Sequence, residues 1–251
     1  MTDPAPFSNK DWIRVARATG RRWLEAHLPQ IIAYRDICRG EKHRNTFGGP
    51  CNGQRKRCEM IKDLMGTCAF LATVETGTFR GDTTEFLARC TEQPIFSVEV
   101  CAYLYHYARH RLRRFNHVHL VLGDSRTVLQ RLLKTPTFPK RRILFYLDAH
   151  WYPDWPIREE VALIENSCAE SVIIIDDFQV PDDPGYQYQD EGEGYRMCLD
   201  HLGPALLDQL AIFWPSAPAA SETGARRGAV ILVTKDALVQ KVKALDSLRQ
   251  L

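Results

Sequence analysis

Two apolar runs of the chain each end in carboxylates. Asp148 follows the run 143–147, and Asp176 and Asp177 follow the run 171–175. Unbroken β-branched and aromatic runs predict strands buried on both faces, as in a parallel sheet covered by helices. Neighbouring strands lie about 4.8 Å apart, so pairing of these two would bring the acids together. Because such carboxylates repel one another unless a proton or a cation bridges them, the sequence predicts a hard divalent ion such as Mg²⁺ on all three.

A glycine-containing turn follows the first predicted strand, 69–75. Its sequence is Glu-Thr-Gly-Thr-Phe-Arg-Gly, from Glu75 to Gly81. Gly77 and Gly81 permit backbone angles that a Cβ disfavours, and they let a ligand approach the backbone closely. Glu99 ends the second predicted strand 22 residues after Gly77. This is near the spacing at which nucleotide-binding α/β folds place a carboxylate on ribose hydroxyls.

The turn differs from the dinucleotide-binding pattern Gly-x-Gly-x-x-Gly. Glu75 lies before its first glycine, and Thr78 stands where a second glycine is expected. An acid at this point would repel a pyrophosphate, but it suits a cationic amine. The amino-acid end of S-adenosylmethionine therefore fits better than a nicotinamide dinucleotide.

The elements that position these residues are predicted from alternating strand and helix patterns. They indicate an α/β fold with a doubly wound, Rossmann-like, mostly parallel sheet of seven strands and an antiparallel C-terminal hairpin. The predicted strands are 69–75, 95–98, 117–122, 143–147, 171–176, 210–214 and 228–233. A helix is expected over 195–207, and Asp236 is expected to cap a final helix with Leu238, Val242, Leu245 and Leu248 on one face.

The chain is predicted to divide at residue 66. Residues 1–66 would form an N-terminal helical layer and lid, and residues 67–251 the ligand-binding domain. Within the first part, the Gly-, Asn- and Arg-rich stretch 39–57 has turn chemistry. It is either a linker or a lid whose Asn52 or Gln54 amide closes on a ligand.

Aromatic residues lie in two predicted loops. Tyr186 and Tyr188 belong to the polar loop 180–194, whose length is typical of active-site covers. Trp151 and Trp155 follow Asp148. These rings would either wall an aromatic or sugar substrate or pack beneath the loops.

Composition excludes several function classes. The 251 residues are 45% apolar and carry a net charge of +2, which argues against a nucleic-acid or membrane partner. The eight scattered cysteines predict reduced thiols and a cytoplasmic protein. Cys51 and Cys58, with His43 upstream, fit no common zinc spacing. The arginines between Arg109 and Arg114 indicate either an RNA contact or a solvated helix end.

Taken together, the motifs resemble those of class I S-adenosylmethionine-dependent methyltransferases. The matching residues are Glu75–Gly81, Glu99, Gly123–Ser125, Asp148–His150 and Asp176–Asp177, and within the class the pattern is most similar to metal-dependent small-molecule O-methyltransferases of the catechol and macrocin types. The resemblance covers about residues 69–233.

The resemblance implies a role for each motif. Glu75, Gly77 and Gly81, with Thr76 and Thr78 between them, would hold the methionine part of the cofactor, and Glu99 its ribose. Asp124 and Ser125 would border the adenine. Asp148 would lie beside the cofactor and hold Mg²⁺ with Asp176 and Asp177. Catechol-type enzymes have a lysine base where this chain has Trp151, which argues against a catechol substrate.

The expected reaction is O-methylation of a small hydroxylated molecule, such as a sugar or a secondary metabolite. A metal bound to two neighbouring substrate oxygens would lower the pKa of a hydroxyl, and His150 would accept its proton, with Asp148 as the competing base. The alternative roles are a hydrogen bond from His150 to a loop, and a turn capped by Asp176 and Asp177.

Three other functions remain open at this stage. A nucleic-acid methyltransferase would use the arginines near Arg109, although no Asn-Pro-Pro-type motif follows the fourth strand. A cofactor-binding scaffold would bind S-adenosylmethionine without turnover. A nicotinamide-dependent oxidoreductase is third, because Glu75 argues against it. A homo-oligomer is compatible with the sequence.

Overall fold

One sheet of eight strands forms the centre of the molecule. The computed structural model describes residues 20–40, 48–150, 154–192, 194–234 and 237–251. The strands are β1 (Ala72–Thr76), β2 (Ile95–Glu99), β3 (Val118–Leu122), β4 (Ile143–Leu147), β5 (Ser171–Asp176), β6 (Leu210–Pro215), β7 (Ala229–Thr234) and β8 (Leu248–Arg249). They lie in the order β3-β2-β1-β4-β5-β7-β6-β8. β1 to β5 are parallel, and β7 runs antiparallel to both β5 and β6. The predicted doubly wound sheet with its antiparallel hairpin is confirmed.

The strand order reverses between β1 and β4. The chain winds from β1 to β2 and β3 on one side, and from β4 to β5 on the other. At the carboxyl ends of these strands Thr76 pairs with Leu147, and Leu147 with Ile175. The predicted pairing of the strands that precede Asp148 and Asp176 is therefore confirmed. The loops after β1, β4 and β5 open side by side at the edge where such folds bind ligands.

Helices cover both faces of the sheet. They are α1 (Pro29–Cys38), α2 (Arg55–Cys68), α3 (Asp82–Cys90), α4 (Ala102–Leu112), α5 (Ser125–Lys134), α6 (Ile157–Ser167) and α7 (Ala237–Lys243). Phe145 and Ile175 pack with residues of α5 and α6, whereas Tyr146 and Ile174 pack with residues of α2, α3 and α7. Successive residues of a strand point to opposite faces, and the two covered faces explain the unbroken apolar runs.

The first described residues pack on α4. Ile32 of α1 is buried with Tyr103 and Tyr107 of α4, and the buried carboxylate of Asp36 accepts the Tyr103 hydroxyl at 2.9 Å. α2, in contrast, belongs to the core of the sheet, and the predicted boundary at residue 66 falls inside it.

The C-terminal part differs from prediction in two places. The last helix ends at Lys243, and Leu248 lies in β8, where it pairs with Pro215 on the open edge of β6. This strand makes eight where seven were predicted. The expected helix over 195–207 is divided into helical turns at Leu199–Leu202 and Pro204–Leu207, because Gly203 has φ +81° and proline has no amide hydrogen. Asp236, the predicted cap, lies outside the described residues.

Candidate active site

A cleft of about 670 Å³ opens at the carboxyl ends of the parallel strands. Among the residues predicted from sequence to form a site, it is lined by Gly77, Thr78, Glu99, Asp124, Ser125, Asp148, His150 and Asp177. Its other walls include Asn52, Gln187, Gln189 and Arg227. Glu75, Thr76, Gly81 and Asp176 do not line the cleft.

The turn after β1 depends on Gly77. This residue has φ +84°, and an added Cβ would lie 2.5 Å from the carbonyl oxygen of Asp148. The amides of Gly77 and Thr78 both donate to the carbonyl of Val98, at 2.9 and 3.1 Å. Gly81 also has positive φ, +78°, and begins α3 against the side chain of Leu112. Gly77 therefore allows the turn to lie directly on the ends of β2 and β4, and Gly81 allows α3 to begin close to α4.

Glu75 and Thr76 lie beneath this turn, behind the cleft. The carboxylate of Glu75 is 1% exposed and accepts the hydroxyls of Thr84 and Ser97, each at 2.5 Å. Burial, with a smaller contribution from the charge of Glu99, outweighs those hydrogen bonds and raises the pKa of Glu75 to about 7. The Thr76 hydroxyl donates to the buried Glu160 at 3.3 Å. Both residues thus support the turn from below, and direct cofactor contact by them remains a prediction.

Glu99 and Asp124 are held by backbone amides at the cleft. The two carboxylate oxygens of Glu99 accept the amides of Phe79 and Cys101, at 2.7 and 2.8 Å. Burial nevertheless raises the pKa of Glu99. Asp124 caps α5 by accepting the amide of Thr127 at 3.1 Å, which is the common role of aspartate at a helix start. Both carboxylates are fixed before any ligand arrives.

Asp148, His150 and Asp177 form the central cluster of the cleft. One potential ligand atom from each lies within 4.8 Å of the others. Nε2 of His150 is 3.2 Å from Oδ2 of Asp177, and its Nδ1 is 3.7 Å from Oδ1 of Asp148. That Nδ1 atom is buried and has no hydrogen-bond partner among the described residues. The predicted base and two of the predicted acids are therefore brought together.

The carboxyl groups of Asp148 and Asp177 have pKa shifts in opposite directions. Burial at the floor of the cleft, together with the charges of Asp176 and Asp177, raises the pKa of Asp148, although a third of its side chain stays exposed. Burial alone would raise the pKa of Asp177 too, but hydrogen bonds from His150 and Arg227 hold it at about 2. Arg227 binds Asp177 through Nε and Nη2, at 2.7 and 2.8 Å.

Asp176 points away from the cluster. It shares a face of the sheet with Tyr146 and Ile174, beneath α2, so its carboxylate meets Arg57. Nη1 of Arg57 lies 2.5 Å from Oδ1, and the Tyr146 hydroxyl donates to Oδ2 at 2.6 Å. The Asn52 amide donates to the same Oδ2 at 3.3 Å. The predicted set of three acids is thus not gathered at one point, and metal binding by Asp176 stays untested.

The stretch around Asn52 is anchored as a wall of the cleft. Gln54, fully buried, donates to the carbonyl of Arg227 and accepts its amide, both at 2.8 Å. Glu222 accepts the amides of Lys56 and Arg57 at the start of α2, at 2.9 and 3.0 Å. The sequence predicted either a linker or a lid for the stretch 39–57. The contacts of Gln54 and of the start of α2 do not fit a linker. Arg57 and Arg227 themselves were missed, because their partners lie far away in sequence and no local pattern marks them.

The described residues of the loop 180–194 contribute two side-chain amides and a carboxylate to the cleft rather than aromatic rings. Gln187, Gln189 and Glu191 line the cleft. The Tyr186 hydroxyl donates instead to the carbonyl of Ala217 at 2.9 Å, and Trp155 packs edge-on against Tyr195 and His201. The packing interpretation therefore holds for Tyr186 and Trp155, and Trp151 lies outside the described residues.

Other sequence features have structural roles. Arg111 pairs with Asp82 and Glu85 at 2.8 Å, and Arg114 also pairs with Glu85. These contacts neutralise part of the arginine cluster on α4. All eight cysteines are free thiols. Across the described residues, no helix combines the length and the apolar character that crossing a bilayer requires.

Comparison with known proteins gives matches only in structure. No protein-family model and no curated protein matches the chain. A Klebsiella pneumoniae protein assigned as an O-methyltransferase aligns with a TM-score of 0.55 at 17% identity, over 87% of this chain and 97% of that one. The O-methyltransferase from Bacillus cereus, in complex with SAH, aligns with a TM-score of 0.53 at 13% identity, over 85% and 96%. TomG from Streptomyces achromogenes, an O-methyltransferase of tomaymycin synthesis in complex with SAM, gives 0.51 at 19% identity, over 71% and 79%.

The chain has the class I methyltransferase fold. The resemblance predicted from Glu75–Gly81 and the acids after β4 and β5 is therefore confirmed at the level of fold. In this methyltransferase fold the cleft lies at the strand-order reversal, between β1 and β4.

Replacing Gly77 by alanine should destabilise the protein. The new Cβ would be strained at φ +84° and would collide with the Asp148 backbone. We expect a loss of about 1–3 kcal/mol in the free energy of unfolding, measured by urea denaturation. Gly66→Ala is the matched control, because Gly66 lies in α2 with nothing within 4 Å of an added Cβ. Equal stability of Gly77→Ala and the wild type would contradict the assigned turn.

The buried Glu75 should make stability depend on pH. Its pKa is about 7 in the folded protein and 4.5 ordinarily, so the folded state binds more protons between these values. The contribution of Glu75 to stability is then largest below about pH 4.5 and falls by roughly 3 kcal/mol as the pH rises to about 7. Glu160, whose pKa burial also raises to about 7, contributes in the same direction.

Urea denaturation from pH 4.5 to pH 8 would measure this dependence. Glu75→Gln should flatten the fall in stability, and the further substitution Glu160→Gln should flatten it more. Glu92→Gln, at a side chain that is 96% exposed, is the control and should leave the curve unchanged. An unchanged curve for Glu75→Gln would show that this carboxyl does not bind the additional proton.

Proposed function

We propose that the protein is an S-adenosylmethionine-dependent O-methyltransferase that acts on a small hydroxylated molecule. The observation that carries this proposal is the cleft itself, where Gly77, Glu99 and Asp124 meet from three successive loops and face His150. Structures of the same fold, from Bacillus cereus and Streptomyces achromogenes, are complexes with SAH and SAM.

The cofactor would lie along the ends of β1 to β3. The Gly77–Thr78 backbone would receive the methionine part, the Glu99 carboxylate the ribose hydroxyls, and Asp124 with Ser125 the adenine. When bound, the cofactor supplies a methyl group already activated on a sulfonium. The chain then has to orient the acceptor oxygen and take up its proton.

His150 is the favoured base. The Asp177 carboxylate has no proton to give at its lowered pKa, so it accepts the Nε2 hydrogen. In the neutral ring this leaves the lone pair on Nδ1, which has no hydrogen-bond partner among the described residues, as the proton acceptor. Asp148, 3.7 Å from that nitrogen, is the competing base.

The lining of the cleft favours a neutral or cationic acceptor. Among the described residues that line it, seven are acids and Arg227 is the single arginine or lysine. Asp82 pairs with Arg111, and Asp124 and Asp154 pair with Arg126, which leaves Glu99, Asp148 and Glu191 without an arginine or lysine partner in the described part of the chain. A nucleotide, RNA or another polyanion would meet repulsion at short range. This charge argues against the nucleic-acid alternative and supports an uncharged polyol, phenol or amino sugar.

The magnesium ion predicted from sequence does not fit this arrangement. Of the predicted ligands, Asp176 is turned toward Arg57 and Asp177 is bound on both oxygens by Arg227. The remaining group of Asp148, His150 and Asp177 includes a nitrogen donor, whereas Mg²⁺ prefers oxygen ligands in near-octahedral geometry. We therefore assign no step of the reaction to a metal.

Calorimetric titration should show one-to-one binding of S-adenosylmethionine and no binding of NAD⁺. Glu99→Gln should weaken cofactor binding about tenfold, because the ribose hydroxyls would lose a charged acceptor. The exposed Glu92 provides the control variant, Glu92→Gln, which should bind as the wild type does. Binding of NAD⁺ in place of S-adenosylmethionine would contradict the proposed function.

His150→Ala should lower kcat about 10²- to 10⁴-fold with cofactor affinity unchanged. The assay is release of S-adenosylhomocysteine with a panel of neutral and amino-bearing hydroxylated acceptors. His119→Ala, at an exposed residue of β3, serves as the control. If Asp148→Asn abolished turnover and His150→Ala did not, Asp148 would be the base. Cofactor binding without turnover on any acceptor would favour the scaffold alternative.

A further inference from the structure

We infer that Arg57 and Arg227 neutralise the two acids after β5 that the sequence assigns to magnesium, so that the site works without a divalent cation. The catalytic meaning of this inference rests on the proposed function. Its experimental test does not, because it measures cation binding directly.

The carboxylate of Asp176 is satisfied entirely by groups of the protein. Oδ1 accepts from Arg57 at 2.5 Å and from the amide of Asp177 at 2.9 Å. Oδ2 accepts from Tyr146 and Asn52. Both Asp176 and Arg57 are buried, with side chains 1% exposed. A cation could reach this carboxylate only by displacing a buried guanidinium, which would leave that positive charge without a partner.

The carboxylate of Asp177 is held in a different way. Arg227 binds both of its oxygens in the bidentate geometry typical of guanidinium and carboxylate. Oδ2 also lies 3.2 Å from Nε2 of His150. Asp177 therefore links an arginine to the proposed base, and these contacts occupy three of the roughly four acceptor sites of its carboxylate.

Two of the three carboxylates are neutralised without an added ion. Asp148, Asp176 and Asp177 carry up to three negative charges, and the two guanidinium groups carry two positive charges. Repulsion among the three acids is the reason to expect a cation here. In this chain the guanidinium groups of Arg57 and Arg227 provide positive charge at two of the three acids.

The arginines are themselves fixed in place. Nη2 of Arg57 donates to the carbonyl of Arg227 at 2.6 Å, and Gln54 holds the same residue through two backbone hydrogen bonds. The side chain of Arg227 also donates to Gln189 at 3.1 Å. A guanidinium held at so many points replaces the charge of an ion but offers no open coordination position. Without a metal ion to lower the pKa of the acceptor hydroxyl, removal of its proton depends on His150 as the base.

Electron paramagnetic resonance with Mn²⁺ as the probe tests this inference on the full chain. The wild type should show no saturable binding up to about 1 mM Mn²⁺. Arg227→Gln frees Asp177 beside Asp148 and should bind one Mn²⁺ at least about tenfold more tightly than the wild type. Arg226→Gln is the matched control, since Arg226 is the exposed neighbour in sequence, and it should behave as the wild type does.

A second pair of variants keeps the test decisive if Arg227→Gln does not fold, as judged by circular dichroism. Arg57→Gln frees Asp176 and should gain Mn²⁺ binding, whereas Arg55→Gln, at a side chain that is 67% exposed in the same helix, should not. The wild-type titration needs no variant at all.

Two results would overturn the inference. One is stoichiometric Mn²⁺ binding by the wild type that Asp148→Asn removes. The other is a folded Arg227→Gln that gains no binding, because the arginine would then not be what excludes the cation. Failure of the proposed function would be distinguishable, since it would show as no S-adenosylmethionine binding in either Mg²⁺ or EDTA while the Mn²⁺ result stood.

Discussion

The arrangement of the candidate active site depends on one buried ion pair, between Arg57 and Asp176. Both side chains are 1% exposed, and Nη1 lies 2.5 Å from Oδ1. Breaking such a pair from one side costs about 3–5 kcal/mol, because the other charge is left buried and unpaired. The pair joins α2 to the end of β5, and Nη2 of the same guanidinium binds the carbonyl of Arg227. One side chain thus fixes the backbone from which Arg227 extends to Asp177, and Asp177 in turn fixes His150.

These contacts connect segments that are distant in sequence. Gln54 and Arg227 are separated by 173 residues, and Arg57 and Asp176 by 119. The stretch before α2 therefore completes the site as much as the loops of the sheet do. The domain boundary predicted at residue 66 would cut between groups that hydrogen-bond each other, although α1 packs separately on α4.

Local sequence pattern was sufficient to predict the strands of the parallel sheet, the glycines of the turn after β1 and the acids that follow β4 and β5. Gly77 needs its positive φ because the Asp148 backbone lies against it, and a glycine between a strand and a helix indicates this directly. The direction of each carboxylate was not predictable in this way. Asp176 still follows the alternation of β5 and faces α2, whereas Asp177 has φ +56° and turns into the cleft. β8 was also missed, since two residues on an edge carry no periodic signal.

The side chains of Asp176 and Asp177 point in different directions, one toward α2 and the other into the cleft. A pair of adjacent acids in a sequence is therefore not enough to predict a metal site. Acids that follow adjacent parallel strands always raise the problem of mutual repulsion, and a metal ion is one solution. An arginine from elsewhere in the chain is another, and it differs because its position is set by folding rather than by the concentration of a free ion. A metal-binding site and an arginine-neutralised site can therefore have the same acids at the same sequence spacing. What separates them in this chain is the pair of guanidinium groups, each bound to one carboxylate and to each other through the backbone of Arg227. In this chain the partner of each carboxylate after β5 is therefore set by an arginine outside the acidic motif.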